Sequence, residues 1–229
     1  MDSEIPYSLP DTVPGMTLPD VVLFPQATIP LFIFEPRYRK MLAQVLDGNH
    51  LMLLATQDQE RALNEDTFEP YHPAATLGLV QSCQKNPDGT SSILVQGLIR
   101  VNAETTYQED PFRIFSIHPL PSEPGASPLE LEQHANHLNA LVQRRSEVGS
   151  KLSKEILRFF DRIDDPEILV DIVAHTLVPK TEMKLQLLRS LVITKRYELL
   201  FDYLTKEIQE LELSDKLKGK LDEDRIGWN

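Results

Sequence analysis

Pro25, Pro30 and Pro36 punctuate the stretch Leu18–Met41, LPDVVLFPQATIPLFIFEPRYRKM, and constrain this chain more than any other feature in it. Proline fixes φ and has no backbone N–H to donate, so it belongs at strand ends, on sheet edges or in the first turn of a helix. The proline-bounded apolar runs Val21–Phe24 and Leu31–Phe34 therefore predict two short strands joined through Pro25 and Pro30. Pro36 opens a helix, because Tyr38, Met41, Leu42, Val45 and Leu46 recur at three- and four-residue spacing before Gly48 and Asn49 stop it. Phe24, Phe32, Phe34 and Tyr38 are expected in the core.

Before this stretch, residues 1–17 carry Pro6, Pro10 and Pro14 with little apolar material, which predicts an extended arm. After it, His50–Thr56 is a continuous apolar run of strand length, and Gln57–Thr76 is polar and acidic enough for a long surface loop. Leu77–Cys83 and Ser92–Val95 flank Asp88-Gly89, a strong hairpin-turn signal. Leu98–Ala103 and Phe112–Ile117 complete a β-rich domain over 18–120. Prolines and a glycine between Pro119 and Pro128 mark a linker at 121–127. Ser127-Pro128 and Asp165-Pro166 each set a capping side chain before a proline at the first helical position. Helices over 128–146, 150–163, 166–178, 181–191 and 195–213 make a bundle at 128–213, and the charged tail 214–229 is expected to fray. The fold class is α+β: a β-rich domain with one inserted helix, then a helical bundle ending in a long helix.

Charge narrows the partners. Acidic residues outnumber basic ones by 35 to 23, a net charge of −12, which opposes both nucleic-acid phosphates and an anionic membrane surface. The basic spots at Arg37, Arg39 and Lys40, at Arg144 and Arg145, and at Lys195 and Arg196 read as solvated faces. Cys83 is the only cysteine, which excludes an internal disulfide and a cysteine-built zinc site. The start lacks a positive and then apolar signal segment, and no run approaches the ~20 apolar residues of a membrane helix. A cytoplasmic setting is the expectation.

No constellation for catalysis assembles. GxxxxGK[ST] and GxGxxG are both absent. His134 and His137 share a helix face with Glu130, yet no further ligand is near in sequence, so an exposed pair is expected rather than a metal site. His175 lies in an apolar helix and reads as a packed residue; Cys83 has no identifiable histidine partner and reads as a small buried apolar group. Ser150-Lys151 and Ser153-Lys154 are adjacent pairs, which do not face each other on a helix. Asp161, Asp164 and Asp165 sit at a helix boundary, where carboxylates favour the next N-terminus. The expectation is a chain without enzymatic activity, cofactor or metal.

The opening stretch has a second meaning. PLFIFEPRYRKML, preceded by LPDVVLFP, resembles the signature of the Lon protease N-terminal domain family, in the form found in its stand-alone members. Pro87-Asp88-Gly89, Gly97-Leu98-Ile99-Arg100-Val101 as a G-x-x-R-[FV] step, and Asp110-Pro111-Phe112 follow in the family's order. LVDIVAHTL at 169–177 and LLRSLVITKRYELLFDYLTKEIQELEL at 187–213 resemble its helical half, so the likeness covers roughly residues 16–215. Gln26, where the family often has glycine, and Ala75-Thr76, where it usually has Gly-Thr, depart from the pattern at expected turns.

The resemblance implies a PUA-like β-barrel or curved sheet joined to a helical bundle. It also implies a non-catalytic recognition module for polypeptide, either an unfolded substrate or a protease or chaperone partner, linked to protein quality control and lacking the ATPase and protease modules. The alternative is a PUA-like module for a small ligand or RNA. On this likeness Phe24, Pro25, Pro30, Phe34, Glu35, Pro36, Tyr38, Asp88, Gly89, Gly97 and Arg100 are the structural signature. Arg37 and Lys40 are the candidate partner contacts, with an ion pair from Arg37 to Glu35 or another acidic neighbour as the competing structural reading.

Overall fold

The computed structural model describes residues 9–64, 69–149 and 151–226. Strands β1 (Thr12–Leu18) and β2 (Thr28–Ile33) lead into helix α1 (Pro36–Asp47), then β3 (Leu51–Thr56), the short α2 (Gln59–Asn64), β4 (Ala74–Lys85), β5 (Ser91–Gln108) and β6 (Arg113–Pro119). Helices α3 (Pro128–Val148), α4 (Lys154–Phe160), α5 (Pro166–Leu177), α6 (Thr181–Arg189) and α7 (Ile193–Ile226) follow. Two compact units result, Met1–Pro121 with His175–Arg189, and Ser122–Ala174 with Ser190–Asn229.

In the first unit the strand order is β2-β5-β4-β3-β1-β6, and β6 also pairs with β5, so five strands close on one another while β2 hangs from β5. Only the β1–β3 pair is parallel among these pairings. Alternation fills the interior with Val13, Leu53, Ala55, Ala75, Leu77, Val101, Ala103, Phe115 and Ile117. Each large side chain removed from water there contributes about 1.5–3 kcal/mol. β5 is long because it serves two partners on one edge, β2 along Thr28–Ile33 and then β6 from Val101 onward. Gly97 lies between the two pairings, where the Phe24–Ala27 segment crosses: Gly97 N donates to Ala27 O and Gln26 N donates to Gly97 O, both 2.8 Å.

The proline at the start of α1 behaves as expected, and Tyr38, Met41, Leu42 and Val45 form its buried face. Tyr38 donates to Thr17 O at 3.3 Å, and burial pushes its phenol up to about 12. The β4–β5 turn is held by Asp88, which accepts from Thr90 N and Oγ1 at 2.9 and 2.7 Å, and Gly89 takes φ +81. Arg100 is buried and donates from Nε to Leu188 O (3.1 Å) in α6.

Several expectations are corrected here. Val21–Phe24 is no strand; it is irregular chain with Val22, Leu23 and Phe24 buried. Threonine hydroxyls replace ladder bonds there, Thr56 donating to Val21 O and Thr76 to Leu23 O, each at 2.6 Å. Residues 12–17 of the expected arm belong to β1, with Val13 in the interior cluster and Met16 buried on the other face; residues 1–8 lie outside the described residues. The expected loop at 57–76 contains α2 and the start of β4, with 65–68 outside the described residues. Ala75 and Thr76 stand in β4, not in a turn, whereas Gln26 does take a glycine-like φ of 62.

The second unit is built on α3 and α7. Ser127 and Glu130 form a reciprocal capping box at the start of α3. His134 packs on Tyr197 and Phe201, and Arg145 and Arg144 pair with Glu207 and Glu212 at 2.9 and 2.6 Å. Contacts advance together along both helices, so they run parallel. Ser153 caps α4, and Asp165 accepts from Glu167 N and Ile168 N at the start of α5. Arg196, expected on a solvated face, is wholly buried against Asp171 and Glu167. The helix expected over 195–213 extends as α7 from Ile193 to Ile226.

His175 is half-buried in the first unit, its ring edge-on to Phe24. Burial, and then the charge of Lys184, lower its pKa below the ordinary 6.5. The unfolded chain thus takes up a proton more readily than the fold, so this stability is present above 6.5 and declines as pH falls below it. Urea midpoints compared between pH 7.5 and 5.5 are expected to fall less steeply in His175→Gln than in the parent. Equal slopes would contradict this. His72, also lowered chiefly by burial, keeps some slope in the variant.

Candidate recognition surface

The two candidate contacts are separated by the fold. Arg37 donates from Nε to Glu35 (2.9 Å) and from both terminal nitrogens to Glu69 (3.0 and 2.6 Å), and its guanidinium lies 4.4 Å from the Tyr38 ring centroid. The Glu69 carboxylate raises its pKa further above the ordinary arginine value, although burial opposes this. Arg37 thus ties the start of α1 to Glu69. Lys40, one turn on, is exposed and makes no ion pair among the described residues.

Lys40 lines a groove of about 560 Å³ between α1 and the β4–β5 hairpin. Pro36, Arg39, Leu42, Ala43 and Leu46 come from α1, and Lys85, Asn86, Gly89 and Ser91 from the hairpin. The residues at 39, 40, 43 and 46 share a face because a helix brings three- and four-residue neighbours together. Across the groove, Gly89 leaves no Cβ beneath Arg39; one placed there would approach the guanidinium carbon to 2.9 Å.

The groove adjoins an apolar strip on β2. Phe32 and Phe34, expected in the core, are 56% and 60% exposed and stack on each other at 6.1 Å between centroids. β2 alternates, and it is Ile33 that is buried. Pro30 opposes the exposed Leu94 of β5, and Phe32 opposes Ser92, so Pro30, Phe32 and Leu94 share one face.

The bond from Gly97 N to Ala27 O fixes the phase of the ladder. Ile29, Leu31 and Ile33 then bond to β5, while the backbone of Thr28, Pro30 and Phe32 faces the open edge. Pro30 fits there because its missing donor costs β5 nothing. That proline was the legible signal of an edge strand whose alternate side chains face water. The run of apolar letters concealed it.

Other candidates do not assemble a reactive centre. Glu130 is occupied in its capping box, while His134 and His137 lie against Phe201. Cys83 is half-exposed on β4 opposite Ile93, not buried. Ser153 and Asp165 serve as caps, and Ser150 lies outside the described residues. Among the described residues no group of three or more His, Cys, Asp and Glu could hold a metal, and no helix is long and apolar enough to cross a membrane.

Residues 12–206 match the family model described as the ATP-dependent protease La (LON) substrate-binding domain. The Lon protease of Desulfosudis oleivorans is 27% identical over 216 residues, covering 94% of this chain and 26% of that protein. The Lon protease of Xanthomonas oryzae pv. oryzae is 28% identical over 209 residues, covering 91% and 24%. This chain thus spans 24–26% of the length of these relatives. Among solved structures, the N-terminal domain of Mycobacterium avium complex Lon protease aligns with a TM-score of 0.65 at 19% identity, over 85% of this chain and 98% of that one. A Lon N-terminal domain protein from Xanthomonas campestris aligns at 0.58 and 18% identity, over 84% and 98%. At such identities the structural likeness speaks to the fold.

Proposed function

Because the chain belongs to the Lon substrate-binding domain family, we propose that it is a non-catalytic module that holds extended polypeptide on β2 and its flank. The polypeptide is an unfolded substrate or a segment of a protease or chaperone partner, within protein quality control in a reducing, cytoplasmic setting. The observation that carries this reading is the stacked pair Phe32 and Phe34, two large aromatics left in water on, and just past the end of, a strand with an open edge. Exposed apolar clusters mark partner sites, and a free strand edge offers backbone bonds to an added strand while alternate side chains find apolar seats. Pro30 removes one donor from that edge, which also limits edge-to-edge pairing between copies.

The test is fluorescence titration of the chain with a reduced, carboxymethylated polypeptide. Saturable binding is expected, and Phe32→Ser with Phe34→Ser should weaken it by about tenfold or more, since central aromatics dominate such interfaces. The parent showing no saturable binding would sink the function. Unchanged binding by a folded double variant would sink its placement on β2.

A further inference from the structure

The groove beside β2 has a charge opposite to that of the chain that carries it. Arg39, Lys40 and Lys85 all line it, no acidic residue does, and none of the three makes an ion pair among the described residues. This contrasts with Arg37, Arg144, Arg145, Lys195 and Arg196, each paired with a carboxylate. Asp88 in the adjacent turn accepts from Thr90 N and Oγ1 through Oδ1; these bonds, and then the charge of Arg39, hold its carboxyl below the ordinary range without a direct ion pair among the described residues. Between the cations lie Pro36, Ala43 and Leu46. A cluster of cations over an apolar floor, on a chain of net charge −12, is a local inversion of the field.

We infer that this groove selects the polypeptide: it takes an acidic segment with apolar side chains interspersed, carboxylates against Arg39, Lys40 and Lys85, apolar groups against Pro36, Ala43 and Leu46. This rests on the polypeptide-binding reading and adds the class of segment held. Continuity supports it, because Pro36 and Ser91 line the groove, and Ser91 is the partner of Ile33 at the end of β2. Ser91 and Ile33 share the face of the ladder opposite Phe32, so a chain seated at Phe32 and Phe34 reaches the basic groove by passing the end of β2 beside Pro36. A nucleic acid fits less well: the groove lining contains no aromatic side chain for base stacking, and the rest of the chain repels phosphates.

Three labelled peptides of equal length and identical apolar residues, carrying Glu, Gln or Lys at the polar positions, are titrated by fluorescence anisotropy in low and moderate salt. The Glu peptide is expected to bind roughly fivefold to tenfold tighter than the Gln peptide, with the advantage shrinking as salt rises. Lys40→Glu with Lys85→Glu should abolish that preference, because the charges that meet the carboxylates are then reversed. Lys40→Gln with Lys85→Gln should give an intermediate preference, which controls for charge reversal. Equal affinities for Glu and Gln peptides, or a preference that survives in both variants, would overturn the inference and leave polypeptide binding intact. No binding by any peptide would remove both readings. Displacement of the Glu peptide by a single-stranded RNA at lower concentration than by unlabelled peptide would overturn it in favour of nucleic acid.

Discussion

Replacing Arg196 by alanine is expected to lower the stability of the helical unit by about 3–5 kcal/mol, the scale for removing one member of a buried ion pair. The Arg196 side chain has no exposed surface, and Asp171, which it meets at 3.0 Å, is 2% exposed. The guanidinium also donates to Glu167 (3.1 and 3.2 Å), to Ser122 Oγ and to the backbone oxygens of Ser190 (2.9 Å) and Leu191 (3.4 Å). One side chain thus joins Ser122, the Ser190–Leu191 segment just before α7, and Glu167 and Asp171 of α5. Urea unfolding followed by circular dichroism measures the loss. The companion variant, Arg196→Met with Asp171→Leu, is expected to recover most of it, because removing both charges also removes their desolvation. A single variant within 1 kcal/mol of the parent, or a double variant worse than the single, would refute the account.

Arg196 also shows where the sequence misled. Beside Lys195 it looked like half of a solvated basic spot, yet Lys195 is exposed and pairs with Glu198 while Arg196 faces inward. Neighbours on a helix point about 100° apart, so a charged pair in sequence says nothing of a shared face. On the same helix Tyr197, Phe201, Leu204, Ile208 and Leu211 recur at helical spacing, and Tyr197, Leu204 and Ile208 are buried. Phe32 and Phe34 failed in the opposite sense. A run of apolar residues was read as core, although strand alternation puts every second one on the other face, and Pro30 signalled an edge. Helix α1, the Asp88-Gly89 turn and both proline-opened helices were readable because their signals are local. Val21–Phe24 was not, since the threonines that satisfy its carbonyls lie 35 and 53 residues away. Of the two proposed contacts, Arg37 went to Glu69 and only Lys40 reached an open groove.

Gly97→Ala is expected to cost about 3 kcal/mol or more and to disturb recognition as well as folding. A Cβ at this position overlaps the Phe24 carbonyl oxygen and stands 2.9 Å from its carbonyl carbon and 3.2 Å from Leu23 Cγ. Backbone, unlike the end of a flexible side chain, cannot step aside. The crossing segment is pinned to Gly97 by the two 2.8 Å bonds from Gln26 and to Ala27, so relief of the clash breaks the ladder that sets the phase of β2. β2 begins at Thr28, the next residue, and carries Phe32, with Phe34 just past its end. The variant should therefore show a lower urea midpoint, faster amide exchange along Thr28–Ile33 than along β3, and weaker polypeptide binding at a concentration where it remains folded. Uniformly faster exchange would mean a global loss only. A variant with parental midpoint and affinity would show that the close approach at Gly97 does not position the aromatic edge.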